Sequence, residues 1–199
     1  MAAVENIVQH DYTIFETRNG FAAVAWSENG VSRLRLPAST EARAEASILR
    51  RFPQARRSPP SALVTRLISD INRYFNGEKV DFSAIPLDCG CQNPFFARVY
   101  SEVRKLGWGE TTTYGAVAKV LGAPPQAARD VGQAMASIPM PLIVPCHRVL
   151  AAGGKLGGFS APGGSNSKAK MLELEGVSVI NLKAKDSDIE ERGQIGFGF

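Results

Sequence analysis

Two Asn-Gly pairs constrain the fold of this chain more than any other feature of its sequence. Asn19-Gly20 and Asn29-Gly30 separate three runs of residues with high strand propensity, at positions 12–17, 21–26 and 31–36. Asparagine and glycine tolerate the positive φ angles that tight hairpin turns require. The pattern therefore predicts three antiparallel strands joined as a meander.

Two helices are predicted after the meander. The first covers residues 41–51, begins after Ser39-Thr40 and is stopped by Pro53. The second covers residues 60–75, where apolar side chains recur on one helical face, and Asn76-Gly77 ends it. Strands and helices together predict a small α+β unit that ends near residue 85.

The rest of the chain is predicted to be mostly helical, with helices at 94–106, 114–121, 126–135 and 167–176. The two middle helices are short, and the turn between them contains Gly122. Two short helices joined by a turn of about three to four residues are typical of a helix-turn-helix, and the same pattern fits two packed core helices. The glycine-rich segment 153–158 predicts a loop.

These elements divide the chain into domains. The prediction is an α+β fold with an N-terminal α/β domain at 1–85, a linker at 86–92 and a helical domain at 93–182. A polar tail follows at 183–199. The chain has 199 residues, which is enough for two small hydrophobic cores.

Composition narrows the class of protein. No apolar run approaches the roughly 20 residues of a membrane span, and the N-terminus lacks a signal-peptide pattern, so the sequence predicts a cytoplasmic protein with no membrane partner. Three cysteines and few histidines predict neither a disulfide scaffold nor a metal site, and no cofactor is expected. The formal net charge is +4, with the positive excess in residues 90–180, which fits either a polyanionic partner or a solvated basic face.

The segment Pro145-Cys146-His147-Arg148-Val149 follows a short apolar run. A cysteine presented by a rigid turn, with an imidazole beside it, has the groups that a thiolate nucleophile needs. A buried cysteine can equally be an inert small hydrophobic side chain. The motif alone therefore leaves both interpretations open.

Four motifs in order resemble the O6-alkylguanine-DNA alkyltransferases, also called methylated-DNA-[protein]-cysteine S-methyltransferases. They are Gly109-Glu110-x-x-x-Tyr114, Ala127-Ala128-Arg129-x-Val131-Gly132-x-Ala134-Met135, the Pro-Cys-His-Arg-Val segment, and a glycine-rich loop ending at Phe159-Ser160. The resemblance covers most of the second region. It implies a ribonuclease-H-like N-terminal domain and a winged-helix-like C-terminal domain.

The resemblance also implies a reaction and its catalytic residues. The protein would remove an alkyl group from O6 of guanine, or from O4 of thymine, and transfer it irreversibly to Cys146. His147 would take the thiol proton through a water molecule, and Glu175 would hydrogen-bond the other ring nitrogen, with Glu173 as the alternative carboxylate. The protein would be consumed in a single turnover.

DNA binding is the second implication of the resemblance. The lesion would be flipped out of double-stranded DNA, because O6 is hidden inside the duplex. The recognition helix would enter the minor groove, with Ala127 and Ala128 allowing close approach and Arg129 filling the vacated space. Tyr114 would crowd the neighbouring phosphate and help the rotation. The protein would act as a monomer, with cooperative loading on DNA as an option.

The substrate pocket implied by the resemblance is lined by Met135, Val149 and Phe159, and Ser160 N–H would meet O6. The backbone carbonyls of Cys146 and Val149 would accept hydrogen bonds from the guanine amino group. Two positions depart from the family pattern. Phe159 stands where tyrosine is common, and Ile138 stands where an asparagine usually ties the cysteine turn together.

Two alternatives remain. A non-catalytic lesion sensor of the alkyltransferase-like type would flip and hold alkylguanine without accepting the alkyl group, and Cys146 argues against it because those relatives replace the cysteine. A winged-helix transcription regulator would use the same helix-turn-helix in the major groove. That alternative leaves the Pro-Cys-His-Arg-Val segment without a role.

Overall fold

The structure is a computed structural model that describes residues 8–90 and 93–178. Contacts divide the chain into two compact units. Among the described residues, the first comprises 8–90 together with Pro139–Ile143, and the second comprises Asn93–Ile138 and 144–178. The linear boundaries predicted from the sequence assigned 139–143 to the second domain. The segment belongs instead with the first unit, where the Leu34 N–H donates to the Pro139 carbonyl at 3.0 Å.

The predicted meander is confirmed in the first unit. Strand β1 is Asp11–Thr17, β2 is Gly20–Ser27 and β3 is Gly30–Ala38, and each neighbouring pair is antiparallel. Gly20 has φ of 114° and Gly30 has φ of 139°. At Gly20 an added Cβ would lie 2.4 Å from the Ala38 carbonyl oxygen, so this turn requires glycine.

One strand of the first unit was not predicted. Strand β4, Arg56–Arg57, pairs in parallel with β1, and the sheet order is β3-β2-β1-β4. Its two arginines lack the apolar alternation from which a strand is predicted. The strand forms because β1 offers an unpaired edge, with Arg56 N–H donating to the His10 carbonyl and Ser58 N–H to the Tyr12 carbonyl, both at 3.0 Å.

Both helices of the first unit are present with shorter bounds. Helix α1 is Glu41–Leu49, capped by Thr40, and ends before the predicted Arg51 because Arg51 and Phe52 N–H both bond the Ile48 carbonyl in a turn. Helix α2 is Ala62–Phe75 and begins after its cap Ser61. The buried face of α2 follows the predicted period and consists of Val64, Leu67, Ile71, Tyr74 and Phe75.

The second unit is helical, as predicted, with one small sheet. Its helices are α3 Pro94–Val103, α4 Tyr114–Val120, α5 Ala128–Ala136 and α6 Gly164–Leu174. Strands β5 (Thr112–Thr113) and β6 (Val149–Leu150) pair in parallel. Short 3-10 turns occur at Pro125–Ala127, Cys146–Arg148 and Ala152–Gly154.

The connection between α4 and α5 differs from the sequence prediction. It runs from Leu121 to Ala127, which is longer than the expected turn, and it includes the 3-10 turn Pro125–Ala127. The α-helix consequently begins at Ala128 instead of Gln126. Consecutive prolines at 124 and 125 lack backbone N–H groups, and the Ala127 N–H bonds the Pro124 carbonyl at 2.9 Å.

Helix α6 begins about one turn earlier than predicted, after Gly163 with φ of 83°. The predicted tail at 183–199 lies outside the described residues. Within the described ranges, no helix combines the length and the apolar character that crossing a bilayer requires.

Candidate active site

Cys146 lies in the second unit at the end of a tight turn. Pro145 has φ of −77° and ψ of 66°, which are the angles of an inverse γ-turn. The Cys146 N–H accordingly donates to the Val144 carbonyl at 2.7 Å, and the Arg148 N–H donates to the Pro145 carbonyl at 2.9 Å. Proline fixes φ for this turn, so the thiol enters the 3-10 segment in one defined direction.

The Cys146 thiol is only 4% exposed. Burial raises its pKa to about 12, although the positive charge of Lys168 and the backbone N–H groups of Cys146 and His147 act in the opposite direction. At neutral pH the group is therefore a thiol. Because a thiolate is the nucleophile, reaction at Cys146 requires a base.

His147 is fully buried, and its Nε2 lies 2.7 Å from Oε1 of Glu175. Burial lowers the pKa of His147, and the carboxylate of Glu175 only partly offsets that effect. The imidazole is therefore neutral near pH 7. With Nε2–H donating to the carboxylate, the ring lone pair is on Nδ1, where it can accept a proton.

The carboxylate of Glu175 is held by three further donors. Arg148 donates from Nε to Oε2 at 2.8 Å and from Nη2 to Oε1 at 3.0 Å, and the Gly109 N–H donates to Oε2 at 3.1 Å. Burial alone would raise the pKa of Glu175, but the hydrogen bonds and charges of His147 and Arg148 lower it to about 2. Glu175 is thus an ionised, fixed partner for the imidazole.

Arg148 is a site residue that the sequence analysis left without a role. Its guanidinium is buried, and besides the bidentate pair with Glu175, Nη1 donates to the Leu106 carbonyl at 2.6 Å. A bidentate arginine fixes both position and orientation of a carboxylate. The signal was present in the sequence, because an arginine next to a buried apolar run needs an acidic partner.

Lys168 is a second residue that the sequence analysis missed. It lies on α6, is fully buried, and donates from Nζ to the Val149 carbonyl at 2.6 Å. Its Nζ also lies 5.8 Å from the centre of the Tyr114 ring. Lys168 therefore connects two predicted site residues, and its charge favours the Cys146 thiolate. The sequence signal was its place among the buried positions Ala169, Met171 and Leu172.

The predicted DNA-binding residues lie at the starts of two helices. Tyr114 begins α4, which Thr113 caps through a bond to the Ala116 N–H at 3.1 Å, and burial followed by the Cys146 charge raises the pKa of Tyr114. Ala128 and the exposed Arg129 begin α5, whereas Ala127 is only 6% exposed in the preceding turn. Their roles in DNA binding stay predictions.

The predicted pocket residues occupy α5, β6 and the glycine-rich loop. Met135 and Val149 are buried, Phe159 is half-buried and Ser160 is exposed. The loop approaches Tyr114 closely, since a Cβ added at Gly157 would lie 3.6 Å from the Tyr114 ring. The Val149 carbonyl already accepts from Lys168, and its second lone pair can accept another donor.

Ile138, which departs from the family pattern, is buried at 6% exposure. Its side chain packs and offers no polar atom to the cysteine turn, whose bonds among the described residues come from the backbone. Among the described residues, no cluster of histidine, cysteine, aspartate and glutamate side chains is arranged to hold a metal ion. Cys89 is a half-buried free thiol, and Cys91 lies outside the described residues.

Comparison with known proteins identifies the family of the chain. Residues 94–177 match the family model described as 6-O-methylguanine DNA methyltransferase, DNA binding domain. The methylated-DNA–protein-cysteine methyltransferase of Metallosphaera sedula is 46% identical over 119 residues, which cover 59% of this chain and 72% of that protein. The chain belongs to this methyltransferase family.

Two further similarities concern DNA. A DNA base-flipping protein of Thermus thermophilus is 39% identical over 135 residues, which cover 68% of this chain and 86% of that protein. The crystal structure of Mycobacterium tuberculosis OGT in complex with DNA is similar with a TM-score of 0.68 and 31% identity, covering 86% of this chain and 98% of that chain. The identity and coverage extend the resemblance beyond the second unit.

Proposed function

We propose that this methyltransferase-family protein repairs DNA by transferring an alkyl group from O6 of guanine to Sγ of Cys146. The observation that carries the proposal is that His147 directly follows the buried Cys146 in sequence and that its buried imidazole lies 2.7 Å from the Glu175 carboxylate. A thiol with a pKa of about 12 has no nucleophilic function without such a base. An inert core cysteine does not need a fixed imidazole–carboxylate pair beside it.

The reaction balances without a cofactor. The Sγ–C bond forms as the C–O6 bond breaks, and the electron pair of that bond stays on guanine. The thiol proton passes through a water molecule to Nδ1 of His147. The released guanine anion takes up one proton at N1 from solvent, and His147 later returns its proton to solvent, so the net reaction moves one proton from Sγ to guanine. The thioether is stable, so one protein molecule repairs one lesion.

Glu175 stabilises the imidazolium form of His147 during the reaction. When His147 takes the thiol proton, the imidazolium forms beside a carboxylate whose pKa of about 2 keeps it ionised at neutral pH. Arg148 and Gly109 hold that carboxylate in place before the reaction, so little reorganisation is needed. Lys168 adds a positive charge that favours the thiolate.

The duplex must present its lesion to this buried thiol. We infer that α5 enters the minor groove, that the exposed Arg129 replaces the flipped nucleotide in the stack, and that Tyr114 crowds the adjacent phosphate. The minor groove distinguishes sequences poorly, which suits repair at any position. One protein molecule binds each lesion as a monomer.

The flipped base would occupy a pocket formed by Met135, Val149 and Phe159. Half-burial of Phe159 leaves an aromatic face for stacking, and the Ser160 N–H would donate to O6 as guanine leaves. The Val149 carbonyl, held by Lys168, would accept from the guanine amino group. These contacts would select guanine over adenine, which has no amino group at that position.

We also propose a fold family for each of the two units. The order β3-β2-β1-β4, with an antiparallel meander and β4 parallel to β1, supports a ribonuclease-H-like first unit. Helices α4 and α5 with the adjacent sheet of β5 and β6 support a winged-helix-like second unit. The proposed domains are 1–85 and 93–182, except that Pro139–Ile143 belongs with the first unit.

A lesion sensor is the second candidate function. The similarity to a DNA base-flipping protein, 39% identical over 135 residues, favours it, whereas Cys146 and its neighbouring base favour transfer. The two functions share lesion binding and differ only in the chemical step.

Analysis of the DNA product separates these functions. A duplex containing one O6-methylguanine is incubated with excess protein, digested to nucleosides and quantified by chromatography. Repair predicts stoichiometric conversion of O6-methylguanine to guanine, with none for Cys146→Ser. Lesion-selective binding without conversion would establish the sensor and overturn the transfer proposal.

A further inference from the structure

Four arginines gather at one edge of the first unit. Arg33 and Arg35 lie on β3 opposite Ala25 and Ala23 of β2, and β3 is an edge strand of the sheet. Directly opposed residues of antiparallel strands project to the same face, and Ala23 and Ala25 pack in the core cluster with Ile48 of α1. Arg33 and Arg35 therefore project to the face that α1 covers.

Arg50 and Arg51 reach the same edge from the helix. They follow the last residue of α1, and both are exposed. Arg50 acts electrostatically on both strand arginines, and Arg51 on Arg33. We call Arg33, Arg35, Arg50 and Arg51 the arginine cluster.

The acidic residues of α1 are engaged elsewhere. Glu41 accepts from Arg57 Nη2 at 2.6 Å, and Glu45 accepts from the Tyr12 hydroxyl at 2.8 Å. Across the described ranges, 8–90 and 93–178, no side chain of the arginine cluster forms an ion pair or a hydrogen bond. Four positive charges thus share one edge of the unit.

Two of these arginines carry buried donors. Arg33 and Arg35 are half-buried, and the Nε atom of each is buried with no hydrogen-bond partner among the described residues. Burial first, and then repulsion from the other three arginines, lowers the pKa of Arg33 to about 10. An unpaired buried donor and clustered like charges are both unfavourable. A bound anion with several acceptor oxygens would relieve both.

We propose that the arginine cluster is a second DNA-contacting site, which binds phosphodiester groups of the duplex backbone. This inference rests on the proposed function, since repair makes duplex DNA the polyanion that the protein meets. The guanidinium fork matches two phosphate oxygens. Phosphates recur regularly along the duplex, so neighbouring arginines such as Arg50 and Arg51 can contact successive groups. The contact is independent of base sequence and strengthens binding before a lesion is found.

The test uses the full chain and the two exposed arginines. Arg50→Gln combined with Arg51→Gln removes two charges without opening the core. The matched control, Arg66→Gln with Lys79→Gln, removes two charges from exposed positions of the same unit. Affinity for a long undamaged duplex is measured by fluorescence anisotropy across a series of salt concentrations.

The cluster variant is expected to bind several-fold more weakly at low salt. Its plot of log affinity against log salt should be shallower by about 1 to 2, because each lost phosphate contact reduces the slope by about 0.9. The control should keep the wild-type slope. Identical slopes for the wild type and the cluster variant would overturn the proposal, as would an equal loss of slope in the control.

Two additional measurements separate this inference from the proposed function. Alkyl transfer from free O6-methylguanine base does not involve the duplex, so the cluster variant should react at the wild-type rate. Absence of transfer from a duplex that contains O6-methylguanine in the wild type would overturn the proposed function, while the salt slopes on undamaged DNA would still decide the arginine cluster. Without DNA at low salt, the cluster variant should melt at or above the wild-type Tm, because repulsion is relieved. A lower Tm with an unchanged slope would assign the cluster a structural role instead.

Discussion

At the scale of single residues, the proposed chemistry depends on a proton that starts on the buried thiol of Cys146. Burial raises the pKa of Cys146 and lowers the pKa of His147, because it disfavours the charged form of each side chain. Glu175 remains charged in the same environment because Arg148, His147 and Gly109 all donate to it. The resting site is therefore neutral at the thiol and at the imidazole, with an ionised carboxylate behind them.

Glu175→Gln tests the role of that carboxylate. The amide leaves the buried Arg148 without its counter-charge and cannot stabilise an imidazolium. We expect a loss of about 3–5 kcal/mol in the free energy of unfolding, and a fall of about 100-fold or more in the single-turnover rate of alkyl transfer. The control is Glu173→Gln, at an exposed position of the same helix, which should match the wild type. An active and stable Glu175→Gln protein would contradict the proposed role.

The pKa of Cys146 predicts how stability depends on alkaline pH. The folded pKa of about 12 exceeds the reference value of 9.0, so between these values the unfolded chain loses the thiol proton while the folded chain keeps it. This contribution to stability is fully present below pH 9.0 and is lost as the pH rises toward about 12. Its slope is at most about 1.4 kcal/mol per pH unit.

Urea unfolding of the wild type and Cys146→Ala across this range measures the effect, because other groups titrate equally in both proteins. The wild type should lose stability faster than the variant as the pH rises. Parallel curves would show that the folded thiol is not protected from ionisation.

At the scale of elements, the residues of the site are positioned by three helices, α4, α5 and α6, and by the turn that contains Cys146. The start of α4 and the meander follow from the Thr113 cap and the Asn-Gly turns that are visible in the sequence. The start of α5 at Ala128 does not, because a 3-10 turn occupies Pro125–Ala127. The sequence could single out Arg148 and Lys168 as buried charges but could not name their partners, Glu175 and the Val149 carbonyl, because these are distant in sequence. Strand β4 depends on pairing with β1, which its own two residues do not encode.

The exposed Arg129 at the start of α5 tests the proposed docking mode. Arg129→Ala should slow transfer from an O6-methylguanine duplex by about 10-fold or more, because the flipped state loses its stabilising insertion. Transfer from the free base should be unchanged, since the thiol site is intact. Equal slowing with both substrates would show that Arg129 acts on the thiol site and not on the duplex.

Substitution of Gly109 tests the turn whose backbone N–H donates to the Glu175 carboxylate. Gly109 has φ of 74°, and an added Cβ would lie 3.0 Å from the Glu175 carbonyl oxygen. Gly109→Ala should therefore lower the free energy of unfolding by about 1–3 kcal/mol. Gly115→Ala, in α4 with open space around the added Cβ, should be neutral or stabilise by up to about 1 kcal/mol. Calorimetric Tm values check this prediction. A Gly115→Ala protein with a lower Tm than the Gly109→Ala protein would contradict it.

At the scale of the whole molecule, the chain forms two units that are not simply consecutive. Pro139–Ile143 belongs with the first unit although both flanking segments belong to the second. The sequence of Pro139–Ile143 did not predict its place in the first unit. The assignment depends on the hydrogen bond from the Leu34 N–H to the Pro139 carbonyl and on other contacts between residues that are distant in sequence. Similarity to the Mycobacterium tuberculosis OGT structure covers 86% of the chain, whereas Cys146, His147 and Glu175 all lie in the second unit.

The measurement that tests the central claim most directly is the intact mass of the protein after incubation with a duplex containing one O6-methylguanine. The wild type should gain the mass of one methyl group per molecule, peptide mapping should locate it on Cys146, and Cys146→Ala should gain nothing. An unchanged wild-type mass despite binding to the lesion, or a methyl group on another residue such as Cys89, would contradict the assignment of Cys146 as the alkyl acceptor.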